Sequence, residues 1–129
     1  MVRILVADDS PAIRRCLRRL LDQHDDWLVC DEASNGQEAV ERFIECRPDL
    51  IVLDFQMPKM NGLDAARRIV KLSPKTPILM VTIHLFKQLS EEARKVGIRG
   101  ACAKADISSV VDGVGALLRE ETYFPRSDL

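Results

Sequence analysis

ILVADDSPAIRR, residues Ile4 to Arg15, ends an apolar run on two adjacent carboxylates and then turns at once into a helix signal. Arg3 to Ala7 is short and nearly continuously apolar, as expected of a strand covered on both faces. Ser10 and Pro11 supply an N-cap and a first helical residue. Ile13, Cys16, Leu17, Leu20 and Leu21 then recur at helical spacing, with Arg14, Arg15, Arg18 and Arg19 on the opposite, solvated face. Asp8 and Asp9 sit at the junction. Two like charges side by side need a compensating group, and the rest of the chain has to provide it.

The same strand-then-helix unit recurs downstream. Trp27 to Ala33 is more alternating and ends in acids at Asp31 and Glu32, which places it at a sheet edge. Asn35 and Glu38 form a capping box before a helix carrying Ala39, Val40, Phe43 and Ile44, stopped before Pro48. DLIVLD is a buried strand ending at Asp54. The loop FQMPKMNG, shaped by Pro58 and Gly62, leads into a helix with Leu63, Ala66, Ile69 and Val70 inward. TPILMVT is a fourth buried strand, ending at Thr82. Ser90, Glu91 and Glu92 open a fourth helix that closes near Gly97. GACAK is a weak fifth strand of small residues, and a last helix runs roughly from Ser108 to Glu121. Gly113 and Gly115 lie inside that helix, each costing up to about 1 kcal/mol relative to Ala. Five such units predict an α/β domain with a doubly wound parallel sheet.

Composition narrows the class. A chain of 129 residues with 47% hydrophobic content fits one domain. A net charge of −1 gives no global attraction to nucleic acid or anionic membrane. No apolar run approaches the ~20 residues needed to cross a bilayer, and a cytoplasmic location is expected. Cys16, Cys30, Cys46 and Cys102 occur singly within apolar patterns and read as reduced core thiols.

In doubly wound sheets the functional crevice lies beyond the carboxyl ends of the strands. With strand order 2-1-3-4-5, Asp8 and Asp9 come alongside Asp54, about 4.8 Å away per strand spacing. Thr82 ends the next strand and Lys104 the one after that. Carboxylates about 5 Å apart repel by roughly 3 kcal/mol at an effective dielectric near 20. Either one keeps its proton or a cation sits among them. An oxygen-only cluster without His or Cys favours Mg²⁺ or Mn²⁺. Such a metal, with Lys104, would draw phosphate to an otherwise repulsive site. Asp54 is then a candidate nucleophile giving an acyl phosphate, with Thr82 and Lys104 sharing the equatorial charge.

ADDS after the first strand, LDFQMPKMNG around Asp54, VT at Thr82 and the lysine at 104 together resemble the receiver domain of bacterial two-component response regulators. The tail VVDGVGALLREETYF, with Ala105 after the lysine, is most similar to the NarL/FixJ branch. The resemblance implies a flavodoxin-like (βα)5 fold and phosphotransfer to Asp54 from a sensor histidine kinase. It implies Mg²⁺ held by Asp9 and Asp54, by Asp8 through water, and by the main-chain carbonyl of Gln56. It further implies a changed surface on the fourth helix, fifth strand and fifth helix, homodimerisation on phosphorylation, and slow autodephosphorylation at most rather than enzymatic turnover. Residues 1–121 are the expected receiver, and 122–129 a tail or the start of a linker to a DNA-binding helix-turn-helix domain that this chain lacks; a stand-alone regulator is the alternative. Two features depart from the pattern. Ala101 stands where receivers usually carry an aromatic residue, and Ile83 follows the threonine where small residues are common. His84 and Phe86 are candidates for a substitute moving element. Two other classes stay open. One is a hydrolase with an aspartyl-phosphate intermediate, although Gln56 stands where its second acid would. The other is a phosphate-independent interaction domain.

Overall fold

Apolar strands flanked by amphipathic helices sort themselves into three layers. The computed structural model describes residues 1–125. Along the chain run β1 (Val2–Ala7), α1 (Pro11–Asp22), β2 (Trp27–Ala33), α2 (Gly36–Cys46), β3 (Leu50–Asp54), α3 (Gly62–Leu72), β4 (Ile78–Thr82), α4 (Lys87–Val96), β5 (Gly100–Ala103) and α5 (Ser109–Leu118). The strands pair in parallel in the order β2-β1-β3-β4-β5, the arrangement expected of the doubly wound flavodoxin-like class. Every residue of β3 and β4 is buried. This is why those two strands read as unbroken apolar runs.

Alternate residues of each strand feed two cores. Leu5, Ile51, Leu53, Ile78 and Met80 pack under α2, α3 and α4. Ile4, Leu50, Val52, Leu79 and Val81 pack under α1 and α5. The helix starts are fixed locally. Ser10, Asn35 and Asn61 each accept a hydrogen bond from the amide three residues on, at Ile13, Glu38 and Asp64. Glu38 returns the favour to the Ser34 amide at 2.9 Å, closing a reciprocal cap one residue earlier than a standard box. At the other end of α2, Arg47 adopts a left-handed φ of 47° and gives its amide to the Phe43 carbonyl. A side chain is unfavourable there. Arg47→Gly is expected to raise stability by about 1 kcal/mol, read as a higher urea midpoint at unchanged slope.

Three expectations need correction. Helix α4 begins at Lys87, not at Ser90: Phe86 precedes it without a side-chain cap, and Ser90 lies buried in the first full turn. Helix α5 ends at Leu118 because Glu120 takes a left-handed φ of 64° and reverses the chain. Cys30 and Cys46 are not isolated thiols. The β1–β2 register shifts between Ile4 and Leu5, leaving Cys30 unpaired in a bulge, and the sulfur of Cys46 at the end of α2 reaches it in a disulfide. Cys16 and Cys102 are free.

Candidate functional site

Strand register carries the charged groups to one rim. Ala7 pairs with Leu53, so Asp8 follows β1 where Asp54 closes β3. Asp54 pairs with Val81, which sets Thr82 one residue further along the neighbouring strand. Thr82 pairs with Ala103, and Lys104 comes next. The compensating group for the paired acids is this lysine. Its Nζ lies 3.0 Å from Asp8 Oδ2 and 3.2 Å from Asp54 Oδ1.

Both carboxylates are about 1% exposed, whereas Asp9 is exposed. Asp8 Oδ1 accepts the Ser10 amide at 2.9 Å, and Asp54 Oδ1 accepts the Gln56 amide at 3.3 Å. Asp54 Oδ2 is buried and has no hydrogen-bond partner. A buried orphan oxygen is costly unless something else engages it. Burial, and then the Asp8 carboxylate, push the Asp54 acid up to about 6, against the pull of Lys104 and the Gln56 amide. Burial lowers Lys104, but its bonds to Asp8 and Asp54 outweigh this and hold it above the usual lysine range. One lysine therefore does not fully neutralise the pair.

One carboxylate oxygen from each of Asp8, Asp9 and Asp54 falls within 4.8 Å of the others. That spacing and the all-oxygen chemistry fit Mg²⁺ or Mn²⁺. The orphan Asp54 oxygen supports the same fit. Thr82 is buried, its hydroxyl 3.5 Å from the His84 carbonyl, a contact weak enough to be exchanged for another acceptor. Gly62 lets the loop after Asp54 fold back: its amide donates to the Phe55 carbonyl at 2.7 Å, and a Cβ would stand 2.3 Å from the Asp54 carbonyl oxygen. His84 and Phe86 both point outward, Phe86 being 54% exposed.

One supporting residue escaped the sequence reading. Arg14, assigned to the solvated face of α1, donates from Nη1 to the Asp8 carbonyl at 2.6 Å and from Nε to Glu32 at 3.0 Å. Arg18 binds the other oxygen of Glu32. The signal was the acid ending the edge strand beside β1, which needed a cation from the helix between them.

The profile of the response regulator receiver domain matches residues 4–113. The chain belongs to this family. It is 34% identical over 102 residues to chemotaxis protein CheY of Thermotoga maritima, a match covering 79% of this chain and 84% of that one. It is 44% identical over 81 residues to the protein-glutamate methylesterase/protein-glutamine glutaminase of Pyrococcus abyssi. That match covers 63% of this receiver but only 22% of the larger protein. Among solved structures, a LuxR-family two-component response regulator from Aurantimonas sp. SI85-9A1 superposes with a TM-score of 0.91 at 29% identity, covering 99% of this receiver and 91% of that chain. Relatives from several output classes thus share this receiver fold. Among the described residues no helix is long and apolar enough to cross a membrane.

Proposed function

We propose that this receiver takes a phosphoryl group onto Asp54 from a sensor histidine kinase, and that Asp8, Asp9, Asp54 and the main-chain carbonyl of Gln56 hold Mg²⁺ beside it. The observation that carries this reading is the buried, unpartnered Asp54 Oδ2 next to an oxygen of the same carboxylate already held by Lys104. An ionised Asp54 attacks phosphorus through the free oxygen, and the donor's leaving group departs with the bonding pair. With its acid near 6, Asp54 is mostly ionised above neutral pH. Lys104 is already in place to follow the new phosphoryl oxygens, and Thr82 can give up its weak bond to His84 and donate to them. Mg²⁺, when bound, would neutralise charge on the transferred group and offset the repulsion of the acids.

The NarL/FixJ branch is the reading we favour within the family, supported by Ala105 and by the LuxR-family structural relative. Output would then pass to a DNA-binding helix-turn-helix domain, with a homodimer forming on phosphorylation. No turnover beyond slow loss of the acyl phosphate is proposed, and the setting is the cytoplasm. Residues 1–121 act as the phosphoacceptor unit; of the tail, 126–129 lie outside the described residues.

Incubation with a small acyl phosphate and Mg²⁺, followed by intact mass, tests this reading. One added phosphoryl group is expected, lost completely in Asp54→Asn. Steady consumption of donor would instead favour the hydrolase, and no adduct the phosphate-independent interaction domain.

A further inference from the structure

An outer strand of a sheet presents a row of unpaired amides and carbonyls. On the β5 side this row is taken up by the chain itself. The Tyr123 amide donates to the Arg99 carbonyl at 2.9 Å, and the Ala101 amide donates to the Tyr123 carbonyl at 2.8 Å, so Tyr123 lies parallel to Gly100. The return is made possible by Glu120 in its left-handed conformation, where the Glu121 amide reaches back to Ala116 at 3.0 Å.

The two aromatic residues straddle the sheet. Tyr123 joins the core beneath α1 and α5, and Phe124 joins the core beneath α4. The Arg94 guanidinium of α4 stands 3.9 Å over the Phe124 ring. The places they fill are those where this sequence carries too little side chain. A Cβ on Gly113 would stand 3.2 Å from Tyr123 Cδ2 and 3.0 Å from Leu79, and one on Gly100 would stand 3.0 Å from the Tyr123 carbonyl oxygen. The register sets Phe124 beside Ala101, the position that lacks an aromatic ring of its own. A glycine unfavourable to α5 and an alanine out of pattern thus make sense together.

We propose that the edge of β5, with the adjoining surfaces of α4 and α5, is a docking site for an extended segment, that its occupant is this chain's own Thr122–Phe124, and that loading Asp54 loosens it. The last clause rests on the phosphoacceptor reading above. Its physical basis is a shared wall. Leu85, Ala103, Asp106 and Ser109 line a cavity of about 380 Å³ against Tyr123 and Phe124. Leu85 lies on the loop that carries Thr82, and Ala103 immediately precedes Lys104. A phosphoryl group on Asp54 draws Thr82 and Lys104 inward, and the wall supporting the two rings withdraws with them. A partner using the same edge by strand addition would gain access only then.

Amide hydrogen exchange on the full chain tests both parts. In the resting protein the amides of Ala101 and Tyr123 are expected to be protected, and Phe124→Ala to speed their exchange about tenfold while Val52 in β3 is unchanged. Arg94→Ala, a milder change on an exposed residue, should speed it about two- to fivefold. Unprotected amides, or exchange indifferent to both substitutions, would overturn the docking. Beryllofluoride with Mg²⁺ is expected to speed exchange at both amides about tenfold relative to Mg²⁺ alone. Amide shifts around Asp54 without that acceleration would overturn the coupling and leave the phosphoacceptor reading intact. Absence of any beryllofluoride binding would overturn that reading and the coupling with it, while the resting-state exchange still decides the docking.

Discussion

At pH 7.5 without divalent metal, Asp54→Asn is expected to be more stable than the parent by about 3 kcal/mol. The folded protein holds the Asp54 acid near 6, whereas its ordinary value is 3.8. Between those values the folded state binds more protons than the unfolded chain, so stability falls as pH rises through that window. Below about pH 4 the side chain is neutral in both states and costs nothing; above about pH 6 the full penalty is present. At about 1.36 kcal/mol per pH unit the interval amounts to about 3 kcal/mol. Asparagine keeps the shape and removes the charge, and Lys104 still has Asp8 at 3.0 Å. Urea titrations at pH 7.5, 5 and 4 should therefore show a gain that shrinks on acidification. Mg²⁺ should narrow the gap at neutral pH, because it binds the parent and stabilises it by about 2.7 kcal/mol at a hundredfold excess over its dissociation constant. A gain that grows toward low pH would contradict the assignment of Asp54 as the strained acid.

Lys104→Ala should act in the opposite direction. Lys104 is itself largely buried, and its removal leaves two buried carboxylates without their ammonium. Breaking a buried pair by deleting one partner costs about 3 to 5 kcal/mol, whereas an exposed pair is worth about 1 kcal/mol or less. The larger figure is expected at pH 7.5 in urea titrations without metal. The double variant Lys104→Ala/Asp54→Asn should recover much of the loss, since one of the stranded charges is gone. A loss below about 1 kcal/mol would mean that the lysine is a solvated side chain after all. Phosphorylation of Lys104→Ala should also slow by about a hundredfold or more, the usual consequence of losing a preorganised charge at a transferring group.

What was readable in advance follows the range of the interactions. The strands ending at Ala7, Asp54 and Thr82, and the caps at Ser10 and Asn35, are local signals, and each appears where the residues place it. The convergence of Asp8, Asp54 and Lys104 needed only strand order and register, which short crossovers largely dictate. The start of α4 was misplaced because Ser90 followed by two glutamates imitates a polar cap, whereas tertiary packing buries Ser90 and lets Phe86 precede the helix uncapped. The Arg14–Glu32 support and the Cys30–Cys46 contact depend on a bulge and on helix placement, and no spacing in the chain encodes either. Tyr123 and Phe124 were read as tail for the same reason. Only the folded sheet shows that glycine and alanine leave them a place.

The most direct test is chemical trapping of the acceptor. After incubation with a small acyl phosphate and Mg²⁺, borohydride reduces an aspartyl phosphate to homoserine, which peptide mass mapping locates in the chain. Homoserine at position 54, absent when Mg²⁺ is chelated, is the expected result. Phosphate found at His24 or His84, homoserine at Asp8 or Asp9, or modification indifferent to chelation would contradict a magnesium-dependent acceptor built at Asp54.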